Sequence, residues 1–239
     1  MLIAGGTSGI GRALAVNRVA AGDQVQVVGM SDTKGRALED DLRGAAGSIE
    51  FYRADLSSVE ETKRCAAEYL ERNHSLDALF LNAGIIPRRA EVDDAGLDKA
   101  FVVNYLHRLI LMILFNPILH ATAGSRIALT GDEAVAPRFK LDDQVFGRRY
   151  TRMEGVSQSF MANSLLAYWT NRVFDSGVPI CVVSPGHVTT QMSTKQVGVF
   201  MRVLFRLHAK PVTPETATAA IVEGLNGIPA ADTDGRFLR

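Results

Sequence analysis

The chain has 239 residues, 47% hydrophobic and 22% charged, the composition of an ordinary globular interior, which excludes a disordered or fibrous chain. Its 26 basic residues balance 26 acidic ones, so no positive field draws it to nucleic acid or to an anionic membrane surface. The length fits one α/β domain covering residues 1–239.

Along the chain, short runs rich in Val, Ile and Leu alternate with helical patterns, which predicts parallel strands joined by crossover helices in a single doubly wound sheet. The predicted strands are residues 2–4, 24–29, 49–55, 76–82, 126–130 and 179–184. The predicted helices are 10–21, 33–46, 58–72, 96–121, 153–175 and 213–227. With a strand predicted from residue 2, no secretory leader is expected. The apolar run LILMILF (109–115) is too short for the roughly 20 residues of a membrane span and predicts a buried helix. Cys65 and Cys181 show no pairing pattern and are read as core residues of a reducing compartment, hence a cytoplasmic protein. No His, Cys or Asp spacing suggests a metal.

In a doubly wound sheet, ligands bind at the carboxyl ends of the strands where the strand order reverses. GGTSGIG directly follows the first strand and opens the first helix, with Gly5, Thr7, Ser8, Gly9, Ile10 and Gly11 in the turn. Glycine permits the tight turn and the close approach of a pyrophosphate, while the helix start offers free N–H groups. Asp55 and Leu56 follow strand three, where a carboxylate can accept from an adenine amino group. Asn82, Ala83 and Gly84 follow strand four, where small residues let a loop lie beneath a ribose.

Together these motifs resemble the short-chain dehydrogenase/reductase family over nearly the whole chain, and DDQVFGRRY followed by SQSFMAN resembles its retinol-dehydrogenase-like branch. The resemblance implies a Rossmann-type fold and an NAD(P) cofactor. SPGHVTT (184–190) fits the family's turn near the nicotinamide, which implies contacts from Pro185, Gly186, Val188 and Thr190. At the end of strand two, Gly29-Met30-Ser31 is neither the acid an NAD enzyme uses on its ribose nor the base an NADP enzyme uses on its 2′-phosphate. Lys34 or Arg36 lies in reach of a phosphate, which favours NADP, although solvated surface charge accounts for both.

In the family a Ser, Tyr and Lys, supported by an Asn, manage the proton that accompanies hydride transfer. Asn104 matches the supporting position. Aligning VSQSFMAN with the family's helix puts Val156 at the tyrosine position and Phe160 at the lysine position, and Asp132 falls at the serine position, within about one residue. Four-residue spacing sets positions 156 and 160 on one helix face. Neither side chain can move a proton.

Asp132, expected to face apolar surface, and His187, in the turn that the resemblance puts nearest the nicotinamide, are the candidate acid/base groups. Tyr150 is read as a packed loop residue because Glu154 would raise its pKa. His107, one turn beyond Asn104, is read as a helix-surface residue, and His74, His120 and His208 as loop or helix-end residues. Three functions follow. The first is a non-redox cyclase, isomerase or dehydratase acting on a hydrophobic small molecule, the second an oxidoreductase with a relocated proton donor, and the third a catalytically silent partner subunit. The resemblance further implies a homodimer or tetramer joined through the helices at 96–121 and 153–175.

Overall fold

The computed structural model describes residues 1–87, 89, 91–92, 96–131, 152–173, 177–183, 213–227 and 237–238. In chain order the elements are β1 (Leu2–Ala4), α1 (Gly9–Ala20), β2 (Gln24–Gly29), α2 (Asp32–Asp41), β3 (Ser48–Arg53), α3 (Val59–Arg72) and β4 (Ala78–Leu81). There follow α4 (Lys99–Ala121), β5 (Arg126–Thr130), α5 (Arg152–Val173), β6 (Ile180–Val183), α6 (Pro214–Gly227) and β7 (Phe237–Leu238).

All strands pair parallel in the order β3-β2-β1-β4-β5-β6-β7. The order reverses between β1 and β4, where the sheet expected from the sequence would hold its ligand. Strands buried on both faces need no alternation, which is why they read as apolar runs. Their side chains divide by parity between two cores. Leu2, Ala4, Leu79 and Leu81 pack with Tyr69, Leu111 and Phe115 beneath α3 and α4, whereas Ile3, Val27 and Phe80 pack with Leu14 and Ile221 beneath α1 and α6.

Several predicted boundaries move for local reasons. The helix predicted to 46 ends at Asp41 because the following chain turns through Gly44 at φ +81°. The strand predicted to 55 ends at Arg53, since Asp55 folds into a turn with Ser57. The helix predicted from 96 starts at Lys99, capped by the Asp98 carboxylate accepting from the Phe101 amide at 2.8 Å. β7 adds a seventh strand that the sequence reading did not anticipate. Within LILMILF, Leu111, Met112 and Phe115 are buried as expected, but Ile113 is 53% exposed. The run is therefore an amphipathic stripe, not a fully buried segment.

One feature of α4 is not regular. Its Val102–Leu106 segment is π-wound, a form that occurs mostly as single turns and frequently at functional sites.

Candidate functional site

A cavity of about 510 Å³ opens at the carboxyl end of the sheet, at the point where the strand order reverses. Residues 5 and 7–10 of the glycine loop line it, with Asp55 and Leu56 after β3 and Asn82, Ala83 and Gly84 after β4. Every motif in the front half that the sequence picked out for a nucleotide converges on this crevice.

Hydrogen bonds fasten the motifs to one another. The Gly5 amide donates to the Val28 carbonyl at 2.9 Å, and the amides of Asn82 and Ala83 both donate to the Ala4 carbonyl. The Asn82 side-chain amide donates across to the Gly5 carbonyl at 3.2 Å. Gly5 adopts φ +81°, and a Cβ there would lie 2.7 Å from the Ala83 backbone. At Gly11 a Cβ would strike the Gly5 carbonyl oxygen. Gly11 does not line the cavity; it lets α1 close on the loop behind it.

The open end of α1 fits an anion. Ser31, Ser58 and Asp98 cap α2, α3 and α4 by accepting from backbone amides, but Ser8 makes no side-chain cap for α1. First-turn N–H groups left without a cap are the donors a phosphate uses. Asp55 is fixed by accepting from the amide and hydroxyl of Ser57 at 2.9 and 2.7 Å through one carboxylate oxygen. Among the described residues no hydrogen bond reaches its other oxygen, which can accept from an amino group. These residues suit a dinucleotide: an anion at the uncapped turn, a purine beside Asp55 and a ribose over the small Asn82-Ala83-Gly84 turn.

The family model for short chain dehydrogenases matches residues 1–136, more than half of the chain. The chain belongs to the short-chain dehydrogenase family. As a short-chain dehydrogenase it is 28% identical to polyprenol dehydrogenase of Mus musculus, over 100% of this chain and 74% of that protein. It is 27% identical to human retinol dehydrogenase 13, over 99% of this chain and 75% of the relative, in keeping with the retinol-dehydrogenase-like branch. A solved structure described as an NAD(P)-dependent gluconate 5-dehydrogenase of Beutenbergia cavernae, with bound NADP, superposes with a TM-score of 0.73 at 25% identity, covering 92% of this chain and 86% of that one.

Behind the crevice, Asn104, which the sequence reading set at the family's supporting position, braces the chain. Asn104, in the π-wound segment, is fully buried. Its oxygen accepts from the Ile85 amide at 2.7 Å, and its nitrogen donates to the Ile85 carbonyl and to the Ser159 hydroxyl, each at 3.0 Å. Asn163 on α5 donates to the Asn104 carbonyl at 2.6 Å. Asn104 thus holds the chain just after Gly84, and α5 holds Asn104.

Val156, which the sequence reading aligned with the family's tyrosine, is buried in α5, one turn before position 160. Asp132, Tyr150, His187, His208 and the turn carrying Pro185, Gly186, Val188 and Thr190 lie outside the described residues.

His107 requires a correction. It does not lie on the helix surface but is completely buried, and among the described residues neither ring nitrogen makes a well-formed hydrogen bond, although the Val102 and Val103 carbonyls lie near enough to act on its charge. Loss of hydration, reinforced by the neighbouring Arg108 charge, pushes it down to about 3, which the carbonyls of Val102 and Val103 offset too weakly to prevent. It is neutral at physiological pH and is no acid/base candidate. The sequence reading also passed over Arg108, Ser159 and Asn163. A signal for the first was present: an arginine four residues after Asn104, inside an otherwise apolar helical run, is misplaced unless something in the core requires it.

Proposed function

We propose that this short-chain dehydrogenase is an NAD(P)H-dependent oxidoreductase acting on a hydrophobic alcohol or its carbonyl partner, with a proton donor other than the family's tyrosine. The single observation that carries this reading is the convergence of the glycine loop, Asp55-Leu56 and Asn82-Ala83-Gly84 on one crevice of about 510 Å³ at the reversal of strand order. The relatives named for polyprenol and retinol favour an isoprenoid-like substrate. They also favour redox chemistry over the non-redox chemistry expected first from the sequence.

NADP is the preferred cofactor in this reading. The end of β2 presents Met30, 62% exposed, in place of a ribose-binding acid, and the nearby Asp32 carboxylate is paired with Arg53 at 3.4 Å. When bound, the nicotinamide supplies the hydride. The chain must then deliver a proton to the carbonyl oxygen, a task that falls to Asp132 or His187. Two buried free cysteines suit a reducing compartment such as the cytoplasm. The half-exposed Ile113 suits assembly into a dimer or tetramer through α4 and α5.

Turnover of retinal and a short polyprenal with NADPH tests the reading, with Asp132→Asn and His187→Ala assayed separately and together. We expect at least one variant to lose about 10²-fold or more in kcat, the lower range of what general acid catalysis contributes. Unchanged turnover in the double variant would exclude both donors. A second reading, a non-redox enzyme or silent partner, is favoured by the buried Val156 at the tyrosine position. Substrate conversion without any nicotinamide would establish the enzyme, and absence of dinucleotide binding would leave the partner.

A further inference from the structure

Behind Gly84 lies a buried charged group outside the motifs that line the crevice. Arg108, on α4, is 1% exposed. Its guanidinium donates through one Nη to the Thr130 carbonyl and through the other to the Ala83 carbonyl at 2.9 Å and the Thr130 hydroxyl at 3.3 Å. Thr130 is the last residue of β5, and Ala83 lies two residues past the end of β4. One planar fork thus spans the carboxyl ends of two neighbouring strands. Among the described residues no carboxylate pairs with it, and its Nε has no partner.

A buried cation costs several kcal/mol unless it is compensated, while the rest of that helix face, Leu111 and Phe115, is apolar. Packing alone would be served by another aliphatic side chain. What an aliphatic residue cannot do is hold two carbonyls at a fixed separation. Arg108 shares its task with Asn104, one turn earlier on the same face: Asn104 holds both backbone groups of Ile85, Arg108 holds Ala83, and Gly84 between them lines the crevice. A Cβ placed on Gly84 would sit 3.4 Å from the Asn104 oxygen and 3.9 Å from Arg108 Nη2.

We propose that Arg108 is a positioning residue of the cofactor crevice, clamping the ends of β4 and β5 so that the Asn82-Ala83-Gly84 turn is presented to the dinucleotide, and leaving beneath that turn a positive charge for an anionic ligand to compensate. This rests on the reading that the crevice binds NAD(P)H. The test therefore has one arm that needs no cofactor.

Amide hydrogen exchange is measured on the ligand-free full chain, and affinities for NADH and NADPH by calorimetric titration, for wild type, Arg108→Met and Arg108→Lys. We expect Arg108→Met to raise exchange at least tenfold in residues 82–86 and around 130, with the far side of the sheet (β2 and β3) unchanged, and to weaken dinucleotide binding at least tenfold. Arg108→Lys should recover part of both effects, because an ammonium keeps the charge but lacks the planar fork. Wild-type exchange at 82–86 in Arg108→Met, or exchange raised equally across the sheet, overturns the clamp. If Arg108→Met does not fold, wild-type exchange and affinity in Arg108→Lys overturn it. If the wild type binds neither dinucleotide, the oxidoreductase reading fails while the exchange arm still decides the role of Arg108.

Discussion

A histidine sealed in the core and held neutral makes folding sensitive to acid. His107 has its folded pKa depressed to about 3, against an unfolded value near 6.5, so the unfolded chain binds the extra proton first. Stability from this site is therefore complete above about pH 6.5 and falls as pH drops towards 3, by about 2 kcal/mol at pH 5. Replacing His107 with Leu removes the titrating ring and should flatten that fall. Melting temperatures of wild type and variant between pH 5 and 8 check this, and parallel curves would refute it. The motif reading set Asn104 and Val156 only relative to their sequence neighbours, and the structure buries both. It could not show that His107 is buried, since that depends on which face of α4 meets the core and the π-wound segment shifts that face.

At the scale of the element, the glycine loop was the most legible part of the site because its requirements are local. A positive φ at Gly5 and contact with the Ala83 backbone both demand the absence of a side chain. Gly5→Ala should cost about 2 to 3 kcal/mol, seen as a lowered urea midpoint with an unchanged slope, and should weaken nucleotide binding. The helix starts were less legible. Serines precede α1, α2 and α3 alike, yet only those before α2 and α3 cap their helices. The distinction accompanies the backbone, which is fully extended at Ser8 (φ −156°, ψ 164°) but not at Ser31 (φ −96°, ψ 108°) or Ser58 (φ −103°, ψ 121°), and a serine alone does not specify it. Ser159 and Asn163 were invisible for a related reason: on their own helix they resemble ordinary polar residues, and their roles exist only against Asn104 on α4.

For the molecule as a whole, the doubly wound order was readable from the alternation of apolar runs and helical patterns, whereas β7, only two residues long, carries too little pattern to be seen. By length and composition α4 is apolar enough to cross a bilayer, but half of its most apolar window is buried within the fold. A crevice built from the ends of several strands links ligand to global stability. Dinucleotide at 100 times its Kd should stabilise the fold by about 2.7 kcal/mol. At this chain length that is a rise of about 5 to 10 °C in Tm, measurable by calorimetry; no rise with either NADH or NADPH would mean the crevice is not a dinucleotide site. The π-wound segment of α4 has a consequence for deletions. Winding one extra residue into a turn rotates everything downstream by about 100°, so removing one residue between 102 and 106 would restore a regular helix at the expense of phase. Either Asn104 would leave Ile85, or Arg108, Leu111 and Phe115 would swing together away from the sheet, so the irregular turn lets one rod serve two differently angled surfaces.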